Sequence, residues 1–326
     1  MLAHGWHLRA LTRNSSSYAA RDLARRGVGV LQGDLEDPTS LEGATQGAYG
    51  IYSVQDFWQV DARREVQQGK NLAEAAKKAG VEHFVCSSVC GAERNSGIDH
   101  WESKWEIEKH IRKLGLPATI LRPTGFMENY YIDQVEIVIL KGKLMDAIRA
   151  DKPYQTIATD DIGAFAALAF ECPKEFIGLE LEIAGSELTN LEAAQIFSRV
   201  LDRSVQFQKL PMLAVRLLLD KEFYQMFRWF NEQGFEADIG HLRRRYPEVI
   251  FRLWRNGCAV RDGTNAPSEC ARQNGERIDR KHHAADRRVE MGLQRLHPAI
   301  EAMRLATTRT GQVSGAGRIA KAREPY

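Results

Sequence analysis

The stretch from Val81 to Lys104 constrains the fold of this chain more than any other. Residues 81–88 form an apolar run that ends in two serines, and a helical pattern carrying His100 and Lys104 follows after a loop. The apolar run predicts a parallel strand that is covered on both faces. Ligands in an open α/β sheet lie beyond the carboxyl ends of the strands, so Ser88 is predicted at the functional edge. Lys104 follows His100 by four residues, which predicts that both lie on one helix face.

Strand and helix patterns alternate through the first part of the chain and predict a parallel α/β sheet. The predicted strands are residues 6–12, 28–31, 48–54, 81–88 and 118–121, and the predicted helices are 18–26, 38–46, 61–79 and 100–114. From about residue 150 helices dominate and strands are short, which predicts a small α+β lobe. One of these helices is expected to run to about Glu171, with Asp160 or Asp161 as its N-cap.

Composition excludes several classes of protein. The hydrophobic fraction of 44% is ordinary for a globular protein, and no apolar run approaches the roughly 20 residues that span a bilayer. The start of the chain lacks the pattern of a signal peptide. Five cysteines are spread without a C-x-x-C pair, and no histidine pair of metal-binding spacing accompanies them. We therefore expect a cytoplasmic protein with free thiols and without a metal site or a membrane segment.

The chain after residue 247 differs in composition from the rest. Residues 251–326 hold 15 Lys and Arg against 8 Asp and Glu and few apolar residues, so we expect a basic, disordered tail from 248 to 326. Its charge could attract nucleic acid, but neither aromatic interleaving nor a binding motif supports that partner. We interpret the break near residue 248 as a shifted reading frame. Translating the gene in all three frames tests this interpretation.

Several short motifs, in their order along the chain, resemble the NmrA-like family, an atypical branch of the short-chain dehydrogenases/reductases. The motifs are Ala10-Leu11-Thr12-Arg13, Gln32-Gly33-Asp34-Leu35-Glu36-Asp37, Gln68-Gly69-Lys70-Asn71-Leu72, Ser87-Ser88-Val89, Glu102-Ser103-Lys104, Leu121-Arg122-Pro123, Phe126-Met127-Glu128-Asn129 and Thr159-Asp160-Asp161-Ile162-Gly163. The resemblance covers about residues 1–247. It implies a Rossmann-type domain over 1–150 that binds NADP(H) and a substrate or partner lobe over 151–247.

The resemblance also implies roles for individual residues. Arg13 would hold the 2′-phosphate of NADP, which a guanidinium can bind through two hydrogen bonds; the alternative is a solvated surface arginine. Lys104 would hydrogen-bond the nicotinamide ribose; the alternative is an exposed lysine paired with Glu108 one turn away. The other expected cofactor-binding residues are Asp34 and Leu35 beside the adenine, Gln55, Asp56 and Phe57 after the third strand of this chain, and Phe126, Met127, Glu128 and Asn129 beside the nicotinamide. Trp58, Tyr130 and Tyr131 would line a pocket between the lobes.

The chain departs from the family pattern at the expected proton donor. The group's reductases usually carry a tyrosine four residues before the lysine, and this chain has His100 there. A histidine can donate a proton near neutral pH, but it can equally flank a helix start. Two functions therefore stay open. One is reduction of a small electrophile such as a quinone, with Ser88 and His100 polarising the acceptor; the other is a non-catalytic NADP(H) sensor that acts through a protein partner.

A second departure concerns the first strand and the Gly-rich turn of the family, which have no counterpart in this sequence. The strand is central in the order 3-2-1-4-5-6, so two neighbouring strands are expected to expose edges inside the sheet. The turn supplies the N–H groups that bind the pyrophosphate. We expect NADP(H) to bind weakly or not at all, and an inactive truncated gene product is a third alternative. Calorimetric titration with NADPH is the test, and micromolar affinity would contradict the expectation.

Overall fold

The structure is a computed structural model that describes residue 1 and residues 5–255 and 258–261. Most of the predicted basic tail, including residues 262–326, lies outside the described residues, and the expectation of disorder there stays a prediction. The predicted boundary at residue 247 also stays a prediction. Just beyond it, Val249 and Phe251 are buried in the same apolar cluster as the helix at 159–171.

The described residues form thirteen strands and eleven α-helices, together with three short 3₁₀ turns. The strands are β1 (Arg9–Thr12), β2 (Gly29–Gln32), β3 (Gly50–Ser53), β4 (His83–Ser87), β5 (Ala118–Pro123), β6 (Gly125–Phe126), β7 (Lys143–Asp146), β8 (Tyr154–Ile157), β9 (Glu180–Ile183), β10 (Ser186–Leu188), β11 (Gln206–Lys209), β12 (Arg252–Arg255) and β13 (Cys258–Arg261). The helices are α1 (Tyr18–Arg25), α2 (Pro38–Thr45), α3 (Ala62–Ala79), α4 (Asp99–Leu114), α5 (Asp133–Leu140), α6 (Thr159–Glu171), α7 (Pro173–Phe176), α8 (Asn190–Val200), α9 (Met212–Leu218), α10 (Lys221–Glu232) and α11 (Ile239–Arg245). The 3₁₀ turns span Phe57–Gln59, Ala92–Arg94 and Met127–Tyr131.

The parallel strands β1 to β5, together with β9, form two separate sheets. The larger sheet has the order β3-β4-β5-β9, and β1 pairs with β2 in a two-stranded parallel sheet. Within the described residues, β1 and β3 therefore each pair on one side only. This confirms the expected α/β Rossmann-like sheet with two exposed edges, because the strand that would join β1 to β3 is not among the described strands.

Helix boundaries follow local sequence signals. Ser17, Asp37 and Asp61 each cap a helix by accepting a hydrogen bond from a main-chain N–H in its first turn. α3 ends at Gly80, whose φ of +68° suits glycine. The expected aspartate cap of α6 is wrong. Ala158 occupies that position without a side-chain cap, and both aspartates lie in the first turn, where the helix dipole favours carboxylates.

Apolar clusters cover both faces of the larger sheet. One cluster joins β4 and β5 to α6, α7 and α11, and it includes Val85, Leu121 and Phe165. The second joins the opposite side chains of the same strands to α3 and α4 through Phe84 and Ile107. Every residue of β4 is buried, as its continuous apolar pattern predicts.

The later part of the chain mixes helices with short strands, which confirms the expected α+β lobe. β8 pairs with β6 in parallel and with β10 in antiparallel, and β7 pairs with β11 in parallel. A third apolar cluster, which includes Leu144 and Phe197, lies between these strands and α8. Sequence patterns did not predict β6, α5 or β7. None of the helices in the described ranges combines the length and apolar composition that crossing a membrane requires.

Asp146→Asn is expected to stabilise the protein at pH 7. Burial raises the pKa of Asp146 to about 6, although main-chain N–H groups of residues 147 and 148 lower it. Between about pH 4 and pH 6 the folded state therefore holds a proton that the unfolded chain has lost, and stability falls as the pH rises through that window. Asparagine removes this loss, which is worth about 3 kcal/mol above pH 6. Urea unfolding at pH 4 and pH 7 measures the difference.

The exposed Asp151 supplies the control for this experiment, since its side chain is 78% exposed. Asp151→Asn should leave the difference between the two pH values as it is in the unmodified protein. An Asp146→Asn protein with the pH dependence of the unmodified protein would contradict the prediction.

Candidate functional site

The carboxyl ends of the parallel strands carry most of the predicted site residues. Arg13 follows β1, Asp34 follows β2 by two residues, Gln55 follows β3 by two, and Ser88 follows β4 directly. The N–H of Ser88 donates to the carbonyl of Leu121 at 2.7 Å, which continues the ladder between β4 and β5 by one residue beyond the end of β4. Side chains from four strand ends therefore lie at the edge where a ligand of a parallel sheet is expected.

Lys104 is fixed at this edge by two oxygen atoms. Its Nζ donates to the main-chain carbonyl of Gln55 at 2.8 Å and lies 2.9 Å from Oε1 of Glu65 in an ion pair. The Lys104 side chain is only 12% exposed and Glu65 is fully buried. The alternative of an exposed lysine paired with Glu108 is not what the structure has, because Glu108 bonds other partners.

Glu65 is a site residue that the sequence analysis missed. It lies in the first turn of α3, and its second carboxylate oxygen accepts a hydrogen bond from Ser103. The buried positions of α3 include Glu65, Leu72 and Ala76, which recur at helical spacing on one face. A charged residue at a buried helical position was the signal that could have identified it, because buried charges in proteins are paired.

Ser88 belongs to a buried charged network. Its Oγ donates to Oε1 of Glu108 at 2.5 Å, and Glu108 is fully buried. The guanidinium of Arg122 binds both oxygens of that carboxylate, at 3.0 and 2.6 Å, and Arg112 donates to one of them at 2.7 Å. The carboxylates of Glu93 and Glu180 complete the network around Arg122. The hydroxyl hydrogen that Ser88 could offer to an acceptor is thus donated to Glu108.

His100 lies where α4 meets α10. Its ring Nδ1 hydrogen-bonds Glu222, and its main-chain N–H donates to the same carboxylate at 3.0 Å. Burial by itself would raise the pKa of Glu222, but the interactions with His100 and the hydrogen bond from the N–H of Asp99 together outweigh it and lower that pKa. The rings of Phe57 and Trp58 each lie 5.5 Å from the imidazole, and Trp58 stacks on Phe223. His100 is therefore part of an aromatic cluster at the sheet edge.

Arg13 and the residues after β2 form the polar side of the edge. The exposed guanidinium of Arg13 donates to Oε1 of Gln59 at 2.8 Å and is in no ion pair among the described residues. The Asp34 carboxylate accepts from the N–H of Glu36 at 2.9 Å in a local turn. The carbonyl of Leu35 accepts from Asn71 of α3 at 2.9 Å. These turns hold the predicted adenine-side residues in fixed positions.

The loop after β3 carries three predicted residues in three different roles. The buried side chain of Gln55 donates to Ser53 at 3.0 Å, and its Oε1 has no hydrogen-bond partner among the described residues. Asp56 caps the turn Phe57–Gln59 through the N–H of Trp58. Phe57 packs on His100. An unpartnered buried acceptor is costly, which marks Gln55 as a position where a ligand could donate a hydrogen bond.

The segment Phe126–Asn129 follows β5 on the lobe side. Phe126 is 40% exposed and Met127 is 1% exposed. Both carboxylate oxygens of Glu128 accept from the N–H of Thr159 at 3.1 Å, and Asn129 is exposed. Glu128 therefore ties this segment to the start of α6, while Phe126 and Asn129 remain open to solvent. Nearby in sequence, the side chain of Tyr131 is 42% exposed.

The cysteines and acidic residues of the described ranges form no group of three that could hold a metal ion. Cys86, Cys90 and Cys172 are free thiols. Burial raises the pKa of Cys86 to about 12, so this thiol stays protonated at neutral pH. Buried, protonated thiols are inert, and Cys86 carries no argument for a reactive site.

Comparison with known proteins places this geometry in a family. An NAD(P)H azoreductase of Xenophilus azovorans is 28% identical over 199 residues, which cover 61% of this chain and 67% of the azoreductase. The nitrogen metabolite repression protein nmr of Neurospora crassa is 26% identical over 303 residues, which cover 77% of this chain and 61% of the relative. The crystal structure of the Citrobacter sp. triphenylmethane reductase complexed with NADP(H) has a TM-score of 0.62 and 21% identity, covering 77% of this chain and 86% of the reductase.

The similarity to the reductase structure, at 21% sequence identity, shows that the two proteins share a fold. The family is shown by the sequence of this chain. The sequence pattern of the NmrA-like family matches residues 1–259, which include both parallel sheets, the residues around Lys104 and the α+β lobe. The chain therefore belongs to the NmrA-like family.

Proposed function

We propose that this protein is an NAD(P)H-dependent reductase of a small electrophile such as a quinone. The observation that carries the proposal is the position of Lys104, whose ammonium group is held by Glu65 and the carbonyl of Gln55 at the carboxyl edge of the sheet. A surface lysine needs no such support, since exposed ion pairs contribute little to stability. A lysine held in one orientation beside a strand end is suited to donate hydrogen bonds to a ribose.

The residues of this edge fit parts of NADP(H). Arg13 presents a guanidinium that no described carboxylate neutralises, which suits a 2′-phosphate. Gln55 has a buried side-chain oxygen without a hydrogen-bond partner among the described residues, so a ligand that donates there would remove an existing cost.

In this proposal NADPH supplies a hydride to the acceptor. Lys104 donates hydrogen bonds to the nicotinamide ribose and so fixes the cofactor relative to β4. The ion pair with Glu65 holds the ammonium group in place at this edge. The Phe57 and Trp58 rings, packed on His100, exclude water from one side of the acceptor and favour a planar molecule. His100, oriented through Nδ1 by Glu222, offers its Nε2 as the atom that transfers a proton.

The test is oxidation of NADPH by a panel of quinones and azo dyes, followed at millimolar cofactor because binding is expected to be weak. Turnover that requires both NADPH and an acceptor supports the proposal. A protein that is folded by circular dichroism, binds NADPH and turns over none of the acceptors contradicts it. His100→Gln should reduce turnover without changing NADPH affinity, because its proposed role is proton transfer rather than binding.

Arg13→Leu is expected to weaken NADPH binding by about 10- to 100-fold and to leave NADH binding unchanged. Hydrogen bonds to a charged group are worth about 1.5–3 kcal/mol, and only NADPH has the 2′-phosphate that Arg13 would bind. The matched control is Arg25→Leu, because Arg25 lies in α1 with its side chain 65% exposed. Calorimetric titration of the three proteins with both cofactors measures the effect. Equal losses for NADPH and NADH would contradict the assignment.

A second candidate is a regulatory protein that binds NADP(H) without turning it over. The observation that favours it is that both groups expected to polarise an acceptor already have partners. The Ser88 hydroxyl donates to Glu108, and His100 Nδ1 is bound to Glu222. One relative, from Neurospora crassa, is named as a nitrogen metabolite repression protein, which is a regulatory function. NADPH binding without turnover on the acceptor panel would favour this candidate, and its partner would be a protein.

A further inference from the structure

Helix α9 and the residue that follows it expose four leucines, which we call the leucine surface. The exposed fraction is 67% for Leu213, 72% for Leu217, 43% for Leu218 and 45% for Leu219. Within α9 only Val215 is buried. Single exposed leucines are normal on a protein, whereas four within seven residues form an apolar patch, and such patches mark sites of interaction.

The leucine surface is convex, because its side chains project from the outer face of one short helix. Leu213 and Leu217 are one helical turn apart and share a face of α9, and Leu218 lies on the adjoining face. A folded partner would meet only these few side chains. That contact falls well short of the roughly 800 Å² per partner that a stable protein–protein interface buries. The shape of the surface therefore favours a soft, adaptable partner.

Basic residues border the leucine surface. The segment 209–221 carries a net charge of +2, from Lys209, Arg216, Lys221 and Asp220. By contrast, residues 28–261 as a whole hold 28 basic and 34 acidic residues. The three basic residues of the segment are exposed, and none of them is in an ion pair with a described residue. A second copy of the chain on this surface would bring like charges together, whereas an anionic partner would be attracted.

An exposed tryptophan is connected to the leucine surface through the start of α10. Phe223 follows Leu219 by four residues, and its ring stacks on Trp58 with 5.3 Å between centroids. The Trp58 residue is 58% exposed. Tryptophan is enriched at membrane–water interfaces, because its ring combines an apolar body with a polar N–H. Leucines, basic residues and a tryptophan together are the composition of a helix that lies on an anionic membrane.

We propose that the leucine surface docks the protein on an anionic lipid membrane, with Leu213 and Leu217 at the acyl boundary and the bordering basic side chains at the headgroups. A helix in this position lies in the plane of the interface and does not cross the bilayer. The stem of Arg216 can lie along the apolar region while its guanidinium reaches a headgroup phosphate. Docking brings the exposed Trp58, and with it the aromatic cluster around His100, close to the lipid surface.

Co-flotation of the full chain with lipid vesicles tests the docking without cofactor or acceptor, so its outcome is independent of the proposed reductase function. The protein is expected to float with vesicles of phosphatidylcholine and phosphatidylglycerol in equal parts. Leu217→Glu should weaken this binding by at least about 10-fold, because one buried leucine side chain is lost. The matched control is Leu191→Glu in α8, where Leu191 is 48% exposed, and it should bind as the unmodified protein does.

The charge requirement has its own variant. Arg216→Gln should weaken binding to the anionic vesicles by about 5-fold and leave the folded state unchanged by circular dichroism. Equally tight binding to vesicles of phosphatidylcholine alone overturns the anionic partner.

Three other results overturn the docking itself. The first is that the unmodified protein does not float with the anionic vesicles, and the second is that Leu217→Glu and Leu191→Glu bind them equally well. The third is another occupant of the leucine surface. A dimer in sedimentation equilibrium that Leu217→Glu dissociates identifies a second copy of the chain. Faster hydrogen exchange of residues 262–326 in lipid-free Leu217→Glu protein identifies that segment as the occupant.

Discussion

Arg122→Met is expected to lower the free energy of unfolding by about 3–5 kcal/mol. Arg122 lies at the end of β5 with its side chain 7% exposed, and it binds the fully buried carboxylate of Glu108 through two hydrogen bonds. Removing the guanidinium leaves that carboxylate with only Ser88 and the partly exposed Arg112. An incompletely paired buried charge costs more than the lost contact, because it keeps its full desolvation penalty. Urea unfolding followed by circular dichroism measures the change.

Two controls separate this explanation from a general effect of removing an arginine. Arg245 pairs with Glu175 at 2.6 Å, but both side chains are about half exposed, so Arg245→Met should lower the free energy of unfolding far less than Arg122→Met does. The double variant Glu108→Leu/Arg122→Met removes both charges and should recover most of the lost stability. An Arg122→Met protein within 1 kcal/mol of the unmodified one would show that the network is not needed for folding.

Glu65→Leu is expected to lower the free energy of unfolding by about 3 kcal/mol. The substitution leaves the Lys104 ammonium, 12% exposed, with the carbonyl of Gln55 as its remaining partner. It also removes the acceptor of the Ser103 hydroxyl. Glu65→Gln keeps an acceptor for Ser103 but loses the charge, so its cost should be about half as large. Chemical unfolding at pH 7 measures both variants.

The control for Glu65 lies on the same helix. Glu74 pairs with His110 but its side chain is 59% exposed, and Glu74→Leu should change stability by less than about 0.5 kcal/mol. The double variant Glu65→Leu/Lys104→Met removes both members of the buried pair and should be more stable than Glu65→Leu alone. If the double variant is less stable than either single variant, the pair does not act through its charge.

The strand and helix order of the first part of the chain could be predicted because each element carries its own signals. The apolar run of β4 and the terminal glycine of α3 are local features, and their positions need no knowledge of the rest of the fold. The exposed edges of β1 and β3 could also be predicted, since a sheet order fixes which strands are neighbours. The N-cap of α6 could not be predicted in this way, because Asp160 and Asp161 fit the first turn of a helix as well as they fit its cap.

The partners of the site residues could not be predicted in the same way. His100 and Glu222 are separated by 122 positions, and no local pattern connects them. Lys104 had a plausible partner one helical turn away, yet Glu108 faces the sheet and Lys104 faces α3. Hydrogen-bond partners across elements depend on how helices rotate and pack on the sheet, which single-sequence patterns do not specify. Only the buried positions of Glu65 and Glu108 could have been inferred from helical spacing, because each lies on the inward face of its helix.

The division of the parallel strands into two sheets has a consequence for motion. The β1–α1–β2 unit is joined to the remainder through side chains, such as Asn71 on the carbonyl of Leu35 and Arg64 on Glu36, rather than through a continuous backbone ladder. Side-chain contacts of this kind are individually weak, and partly exposed ones are readily exchanged for water. We therefore expect sub-global openings of this unit that leave the four-stranded sheet intact, so the two parts of the molecule should differ in how long they stay closed.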